Sequence, residues 1–157
     1  MKKYELTAET KVVFGRTLHR IRALISFADV KEGEVGGWIE KEENLDHSGN
    51  AWVYGNAEVF GDARIFGNAR IHGNADVWCT CAIMTVSNVG SRNDTTTFFA
   101  QKDKQIGVTC GCFRGTIDEF EAAVKKTHGD NEHGKVYMLA IEMAKLRIKF
   151  PEESEEK

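Results

Sequence analysis

A histidine set within a ladder of aromatic side chains is the residue with the clearest chemical potential. Tyr54, Phe60, Phe66, His72 and Trp78 stand six residues apart along the chain. A neutral imidazole can take a proton from a hydroxyl or an amine, so His72 is a candidate general base. Aromatic side chains in the same pattern act as anchors at partner or subunit interfaces. The alternative is that N-terminal strands and C-terminal helices cover part of this ladder.

Several arginines are candidates for binding an anionic ligand such as a nucleotide or RNA. They are Arg64 and Arg70 in the same stretch, together with Arg16, Arg20, Arg22 and Arg92. Guanidinium groups match phosphate geometry, so a cluster of them would form an anion site. The competing interpretation is a solvated charged face, on which Glu58 and Asp76 lie near the arginines.

Four cysteines form two pairs with one residue between partners, Cys79-Thr-Cys81 and Cys110-Gly-Cys112. Together they could bind zinc, and so could Cys110 and Cys112 with His128 and His133. Zinc ligand pairs usually have two or more residues between them, because the chain must wrap the metal. We therefore expect small buried side chains, with no metal and no cofactor. A reducing compartment also makes disulfides unexpected.

Glycines set the spacing of the aromatic ladder. The 157 residues include 15 Gly and one Pro, and five of the glycines open consecutive hexapeptides: GNAWVY, GNAEVF, GDARIF, GNARIH and GNADVW. Ala stands third in each hexapeptide and Val or Ile stands fifth. This alternation predicts a short strand in each repeat, with the alanine and aliphatic side chains inward and a glycine corner between strands.

The repeat resembles that of known hexapeptide-repeat proteins, which wind three hexapeptides per coil. The resemblance implies a mainly β fold, a short left-handed parallel β-helix. We expect the phase to continue, with Cys81 and Ser87 at the small positions and Ile83 and Val89 at the aliphatic ones. Little more than two coils would form, so this solenoid needs caps, an attached domain or other subunits.

The other segments predict these additions. Residues 1–38 form an N-terminal β segment that turns near Gly15, and residues 39–90 form the β-helix. Residues 91–150 form an α/β cap with a hairpin and two helices, the first of which opens on a capping box at Thr116. Residues 151–157 form a disordered acidic tail.

Two motifs carry a closer resemblance. The (GNAxVx)n run, followed by VTCGCFRGTIDEFEAAVKKTHGD, resembles a group of small hypothetical or polymer-forming proteins encoded in phages and prophages of gut bacteria. The likeness extends from residue 1 to about residue 148. It implies a viral origin and a β-helical core. Small phage proteins often antagonise host defence, by anti-CRISPR-type blocking of an effector or by sequestering a signal nucleotide.

The expected function is therefore non-enzymatic binding by a homo-oligomer, a dimer or a trimer, whose target is a host protein or a small anionic signal. The first alternative is a hexapeptide-repeat acyltransferase in which His72 acts as the base near a subunit seam. The second alternative is a structural, polymer-forming module.

The net charge and the hydropathy of the sequence limit which partners and which cellular location we expect. The net charge of −3 equals that of the final PEESEEK segment, so the remaining chain is formally neutral. A neutral body argues against nucleic acid as the partner. The sequence contains no signal peptide and no apolar stretch of about 18 residues, so we expect a cytoplasmic protein without a membrane span.

Overall fold

The computed structural model describes residues 1–151, and these residues form a mainly β structure. The predicted acidic tail lies outside the described residues, apart from Pro151. Two helices, α1 (Ile117–Thr127) and α2 (Glu132–Arg147), lie near the C-terminal end. Neither helix of this described part combines the length and apolarity that a membrane span requires.

The N-terminal segment forms a hairpin that leads into the repeats. Strands β1 (Tyr4–Val13) and β2 (Arg16–Ala23) pair in antiparallel fashion around a turn at Phe14 and Gly15, which confirms the predicted turn. Strand β3 (Val35–Ile39) pairs antiparallel with β2 on one side and parallel with a strand of the repeats on the other. The hairpin is therefore continuous with the repeat region through one five-stranded sheet.

The hexapeptides form parallel rungs. Their strands are β4 (Trp52–Val53), β5 (Glu58–Val59), β6 (Arg70–Ile71) and β7 (Asp76–Val77). Trp52 pairs with Arg70 and Glu58 pairs with Asp76, and both pairs are parallel. Each pair joins residues 18 positions apart, since 70 − 52 and 76 − 58 both equal 18. The chain therefore passes through three hexapeptides before it returns beside itself.

The interior of the repeats holds the predicted residues. The five repeat aliphatics have no exposed surface, and the repeat alanines are at most 1% exposed. These residues are Val53, Val59, Ile65, Ile71 and Val77, with Ala51, Ala57, Ala63, Ala69 and Ala75. Burying a Val or Ile side chain contributes roughly 1.5–3 kcal/mol relative to leaving it exposed, so this column stabilises the stacking of the rungs.

The predicted continuation of the repeat phase beyond Val77 is wrong. A 3₁₀ turn at Thr80–Ala82 breaks the phase, so that Ala82 is fully buried while Cys81 is half-buried and Ser87 is exposed. The following strand, β8 (Ile83–Val89), pairs antiparallel with β9 (Asp94–Ala100). Ile83 and Val89 thus belong to an antiparallel sheet and add no further parallel rung.

The C-terminal unit packs against the side of the repeats. Its sheet has the order β11-β10-β9-β8, with β10 at Ile106–Cys110 and β11 at Phe113–Thr116. The predicted hairpin and the capping box at Thr116 are both confirmed, because Thr116 and Glu119 bond each other's backbone amides. Two contacts fix the sheet to the lower rungs: the Arg70 amide donates to Thr97 Oγ1 at 3.2 Å, and the Lys102 amide donates to the Asn74 carbonyl at 3.1 Å.

Candidate functional site

The wall formed by β4 and β6 carries the histidine singled out above. The Tyr54 and His72 rings stack with centroids 3.9 Å apart and planes 14° apart. The contact follows from the coil length, because Tyr54 and His72 are 18 residues apart, which is the spacing of the paired strands β4 and β6. The Tyr54 hydroxyl donates to Asp29 Oδ1 at 2.9 Å, which fixes the ring from its outer end. His72 is only 7% exposed, so the stack shields most of the imidazole from water.

Burial and nearby cations keep the imidazole neutral. Burial is the main cause that lowers the pKa of His72 to about 4, and the positive charges of Arg114 and Arg70 lower it further. Removing water disfavours the protonated ring, and the guanidinium groups repel its charge. At neutral pH the ring is therefore unprotonated and keeps a nitrogen lone pair, and the same environment makes this nitrogen a weaker base than that of a free imidazole.

A cleft of about 530 Å³ lies beside the imidazole, and we refer to it as the His72 cleft. Two stacked Gly-Asn corners form one side of it, and cations from the C-terminal unit form the other. Its lining residues are Tyr54, Gly55, Asn56, His72, Gly73, Asn74, Lys102 and Arg114. The repeat produces the asparagine pair because Asn56 and Asn74 occupy equivalent positions one coil apart.

A buried carboxylate orients one of the two cations. Lys102 Nζ donates to Glu58 Oε2 at 2.8 Å, and the same oxygen accepts from Lys11 Nζ at 2.5 Å. Glu58 is 2% exposed, so these two ammonium groups are needed to compensate its buried charge. The His72 cleft thus places amides, a held ammonium and the Arg114 guanidinium around a neutral base. Such groups can stabilise negative charge on an oxygen that reacts next to the base.

The remaining members of the aromatic ladder separate into covered and open positions. Phe60 is 4% exposed and packs with Leu18 and Trp38, beneath the N-terminal hairpin. Trp78 is half-buried against this cluster, and its indole N–H donates to the Lys149 carbonyl at 3.4 Å. Phe66 is 56% exposed. Of the five predicted interface residues, Phe66 is therefore the one that is exposed.

The arginines do not gather into one site. Three of them make separate contacts on the N-terminal hairpin: Arg16 with Glu40, Arg20 over the Trp38 ring, and Arg22 with Glu5. Arg64 lies beside Phe66 on another side of the repeats. Arg70 and Arg92 do line a common cavity, so the proposed anion site is reduced to this pair.

The cysteines do not assemble a metal site within residues 1–151. No group of three or more His, Cys, Asp or Glu residues in that part of the chain could hold a metal ion. Cys79 and Cys81 are joined by a disulfide, so the expectation of no disulfides is wrong for this pair. Cys110 and Cys112 are free thiols at the β10–β11 turn; Cys110 is half-buried and Cys112 is exposed, so the expectation of buried cysteine side chains is wrong for Cys112. His128 and His133 pack against each other with ring centroids 5.6 Å apart.

Sequence reasoning missed Lys102 and Arg114. Lys102 lies in the turn after β9 and Arg114 lies on β11, which are 30 and 42 residues beyond His72 by subtraction of residue numbers. Nothing in their local sequence marks them as neighbours of the repeat. Only the docking of the C-terminal sheet brings them to the imidazole.

Comparisons with known proteins bear on the class of protein to which this chain is similar. No protein-family model matches the chain. Over 62 residues the chain is 39% identical to a protein of Escherichia coli (strain K12) that is described as "Uncharacterized acetyltransferase YdcK". The aligned segment is 34% of this chain and 19% of the relative, so the chain spans about a fifth of that protein's length.

This similarity corrects the expectation that the protein is not an enzyme. The similarity contradicts that expectation, because the relative is described as an acetyltransferase. The finding favours the acyltransferase alternative over the non-enzymatic binding protein. The predicted phage origin and the defence-related partners are untested by these comparisons and stay predictions.

Proposed function

We propose that this protein is an acyl-transfer enzyme of the hexapeptide-repeat kind, built on a short left-handed β-helix, with its reactive centre in the His72 cleft. The observation that carries the proposal is the similarity to the acetyltransferase. The arrangement around His72 supports it, since a neutral imidazole stands in a cleft lined by cations and amides.

The proposed reaction transfers an acyl group from a thioester to a hydroxyl or an amine. His72 accepts the proton of the acceptor while the acceptor's oxygen or nitrogen attacks the thioester carbonyl carbon. The new C–O or C–N bond forms, the C–S bond breaks, and the imidazolium returns the proton to the leaving thiolate. Arg114 and the corner amides stabilise the oxyanion formed during the attack.

The decisive variant is His72→Gln, assayed with acetyl-coenzyme A and a set of amino-sugar and alcohol acceptors. We expect the wild-type protein to consume the thioester in the presence of an acceptor, followed as loss of its ultraviolet absorbance. That readout does not depend on the free thiols Cys110 and Cys112. The variant should be slower by about 100-fold or more, which is the usual contribution of a general base.

His19→Gln is the matched control, because this imidazole lies on β2, outside the His72 cleft. It should keep the wild-type rate. The proposal is wrong if the wild type consumes no thioester with any acceptor, or if His72→Gln is as fast as the wild type while its thermal melt shows an intact fold.

A second proposal concerns assembly and is favoured by one exposed apolar surface. Phe66, Met143 and Leu146 are 56%, 57% and 78% exposed, and Met84 lies between them. We define these four residues as the Phe66 surface. Exposed apolar patches of this kind mark protein–protein contacts, so we propose that copies of this chain associate through it into a dimer or a trimer.

A further inference from the structure

A second cleft lies at the opposite edge of the β4–β6 wall, and we refer to it as the Arg92 cleft. Its polar part is a cavity of about 410 Å³ between the repeats and the C-terminal sheet. The side chains that define its chemistry are Asn50, Asn68, Arg70, Arg92, Asp94 and Thr95. Asn50 and Asn68 again occupy one repeat position, one coil apart.

The two guanidinium groups in this cavity, those of Arg70 and Arg92, differ in their surroundings. Arg70 Nη2 lies 3.2 Å from Asp29 Oδ1, so an ion pair partly satisfies it. Arg92 is exposed in the turn between β8 and β9. A planar guanidinium with free donors binds a phosphate through two parallel hydrogen bonds. Arg92 therefore supplies the principal anion-binding group, and Arg70 and the asparagine amides add further donors.

An apolar cavity of about 270 Å³ continues from the polar one. The two cavities share Arg92, Asp94, Gly111 and Cys112 on their walls. The apolar cavity is lined by Phe113, Phe120 and Val124, together with Tyr137 and His128. Aromatic faces and a partly polar rim suit a flat, ring-shaped group.

Arg92 and Asp94 both stand where the two cavities meet, and Asp94 adds a hydrogen-bond acceptor there. Its Oδ1 accepts from the Thr95 amide at 3.2 Å. A carboxylate repels phosphate but accepts hydrogen bonds from hydroxyl groups. Along the cleft, Arg70 and the two asparagines lie in the polar cavity, Arg92 and Asp94 lie at the junction, and the aromatic side chains line the apolar cavity. A nucleoside phosphate presents the complementary order, namely phosphate, sugar hydroxyls and base.

We propose that the Arg92 cleft binds a small nucleotide, with its phosphate at Arg92 and Arg70, its sugar at Asp94 and its base against Phe113. This site is separate from the His72 cleft, with which it shares no lining residue. It does not depend on acyl transfer. The formally neutral body of the chain is suited to one small phosphate ester and not to a long polyanion.

Isothermal titration calorimetry with AMP, adenosine and inorganic phosphate tests this assignment on the whole protein. We expect AMP to bind more tightly than either fragment. Arg92→Gln should weaken AMP binding roughly tenfold or more, because a charge-assisted hydrogen bond is lost. Arg64→Gln, which removes an arginine on another side of the repeats, should leave the affinity unchanged.

A second variant separates the two ends of the cleft. Phe113→Ala should weaken binding of AMP and adenosine while leaving that of phosphate unchanged. The proposal fails if AMP does not bind the wild type, or if Arg92→Gln and Arg64→Gln weaken AMP binding equally. Equal affinities for AMP and phosphate would show that an anion alone is recognised, and would overturn the nucleotide assignment.

Discussion

At the scale of single residues, the environment of His72 affects both the chemistry of the imidazole and the pH dependence of folding. The imidazole is buried under Tyr54 and faces two guanidinium groups, so its neutral form is favoured. A general base must be unprotonated when the acceptor arrives, and this environment provides that state throughout the neutral range. Burying a group that prefers to be charged at lower pH also makes folding depend on pH.

The pH dependence of stability follows from the lowered pKa of His72. Between pH 6.5 and about 4 the unfolded chain binds this proton and the folded chain does not, so stability falls as the pH drops through that window. The full effect is about 3 kcal/mol. His72→Phe preserves a ring against Tyr54 and should remove this part of the decline, measured by urea unfolding at several pH values.

The control for that measurement is His19→Phe on β2, which leaves His72 buried against Tyr54 and should therefore retain the decline of stability that His72 causes. A His72→Phe protein with the same pH profile as the wild type would show that the buried imidazole does not control acid stability.

At the scale of elements, the corners between strands decide whether the coils can stack. Gly49 and Gly55 both have positive φ, at 74° and 58°. They differ in their surroundings, because a Cβ at Gly49 would lie 2.7 Å from the Gly67 carbonyl oxygen of the next rung, while one at Gly55 would meet nothing within 4 Å. Gly55 is therefore required only for its backbone conformation. Gly49 is required both for its conformation and because there is no room for a side chain.

This difference predicts unequal effects of the same substitution. Gly55→Ala should cost about 1 kcal/mol, because only the left-handed conformation is penalised. Gly49→Ala should cost roughly 1–3 kcal/mol more, since the rung below must shift. Denaturant unfolding of the two variants measures both values. Equal losses would indicate that the coils move apart without resistance at this corner.

The first residues of the chain cover the end of the repeats at which the first coil begins. Lys3 is 1% exposed, and its Nζ donates to the Ala51 carbonyl at 2.7 Å. The Tyr4 hydroxyl donates to the Leu45 carbonyl at 2.6 Å. Carbonyl groups that no further rung can satisfy thus receive side-chain donors. Burial lowers the pKa of Lys3 to about 8, because removing the ammonium group from water disfavours its charged form.

At the scale of the whole molecule, the Phe66 surface predicts self-association. Phe66→Asp introduces a charge into an apolar contact and should shift the protein towards the monomer in sedimentation velocity experiments. Val12→Asp is the matched control, because Val12 is 70% exposed on the N-terminal hairpin, away from the Phe66 surface. A wild type that is monomeric at every accessible concentration, or a Val12→Asp variant that dissociates equally, would contradict the assembly proposal.

Prediction from sequence succeeded where a local period was strong. The hexapeptide phase identified the inward Val59 and Ile65, and the capping box located the start of α1, because both patterns depend on neighbours within a few residues. It failed beyond Val77, where the aliphatic spacing continues but an antiparallel partner strand competes for Ile83 and Val89. Spacing alone cannot distinguish these two pairings, since both place alternate residues inward.

The sequence by itself determined a column of buried aliphatic and alanine residues, the glycine corners around it, and the stacking of Tyr54 on His72. These features follow from a six-residue repeat and from the conformations open to glycine. Only the tertiary structure decided which outward side chains meet water and which form clefts. The C-terminal sheet brings Lys102 and Arg114 to one edge of the β4–β6 wall and Arg92 to the other. Those contacts depend on how separate units dock, and docking is governed by surface fit that no local pattern records.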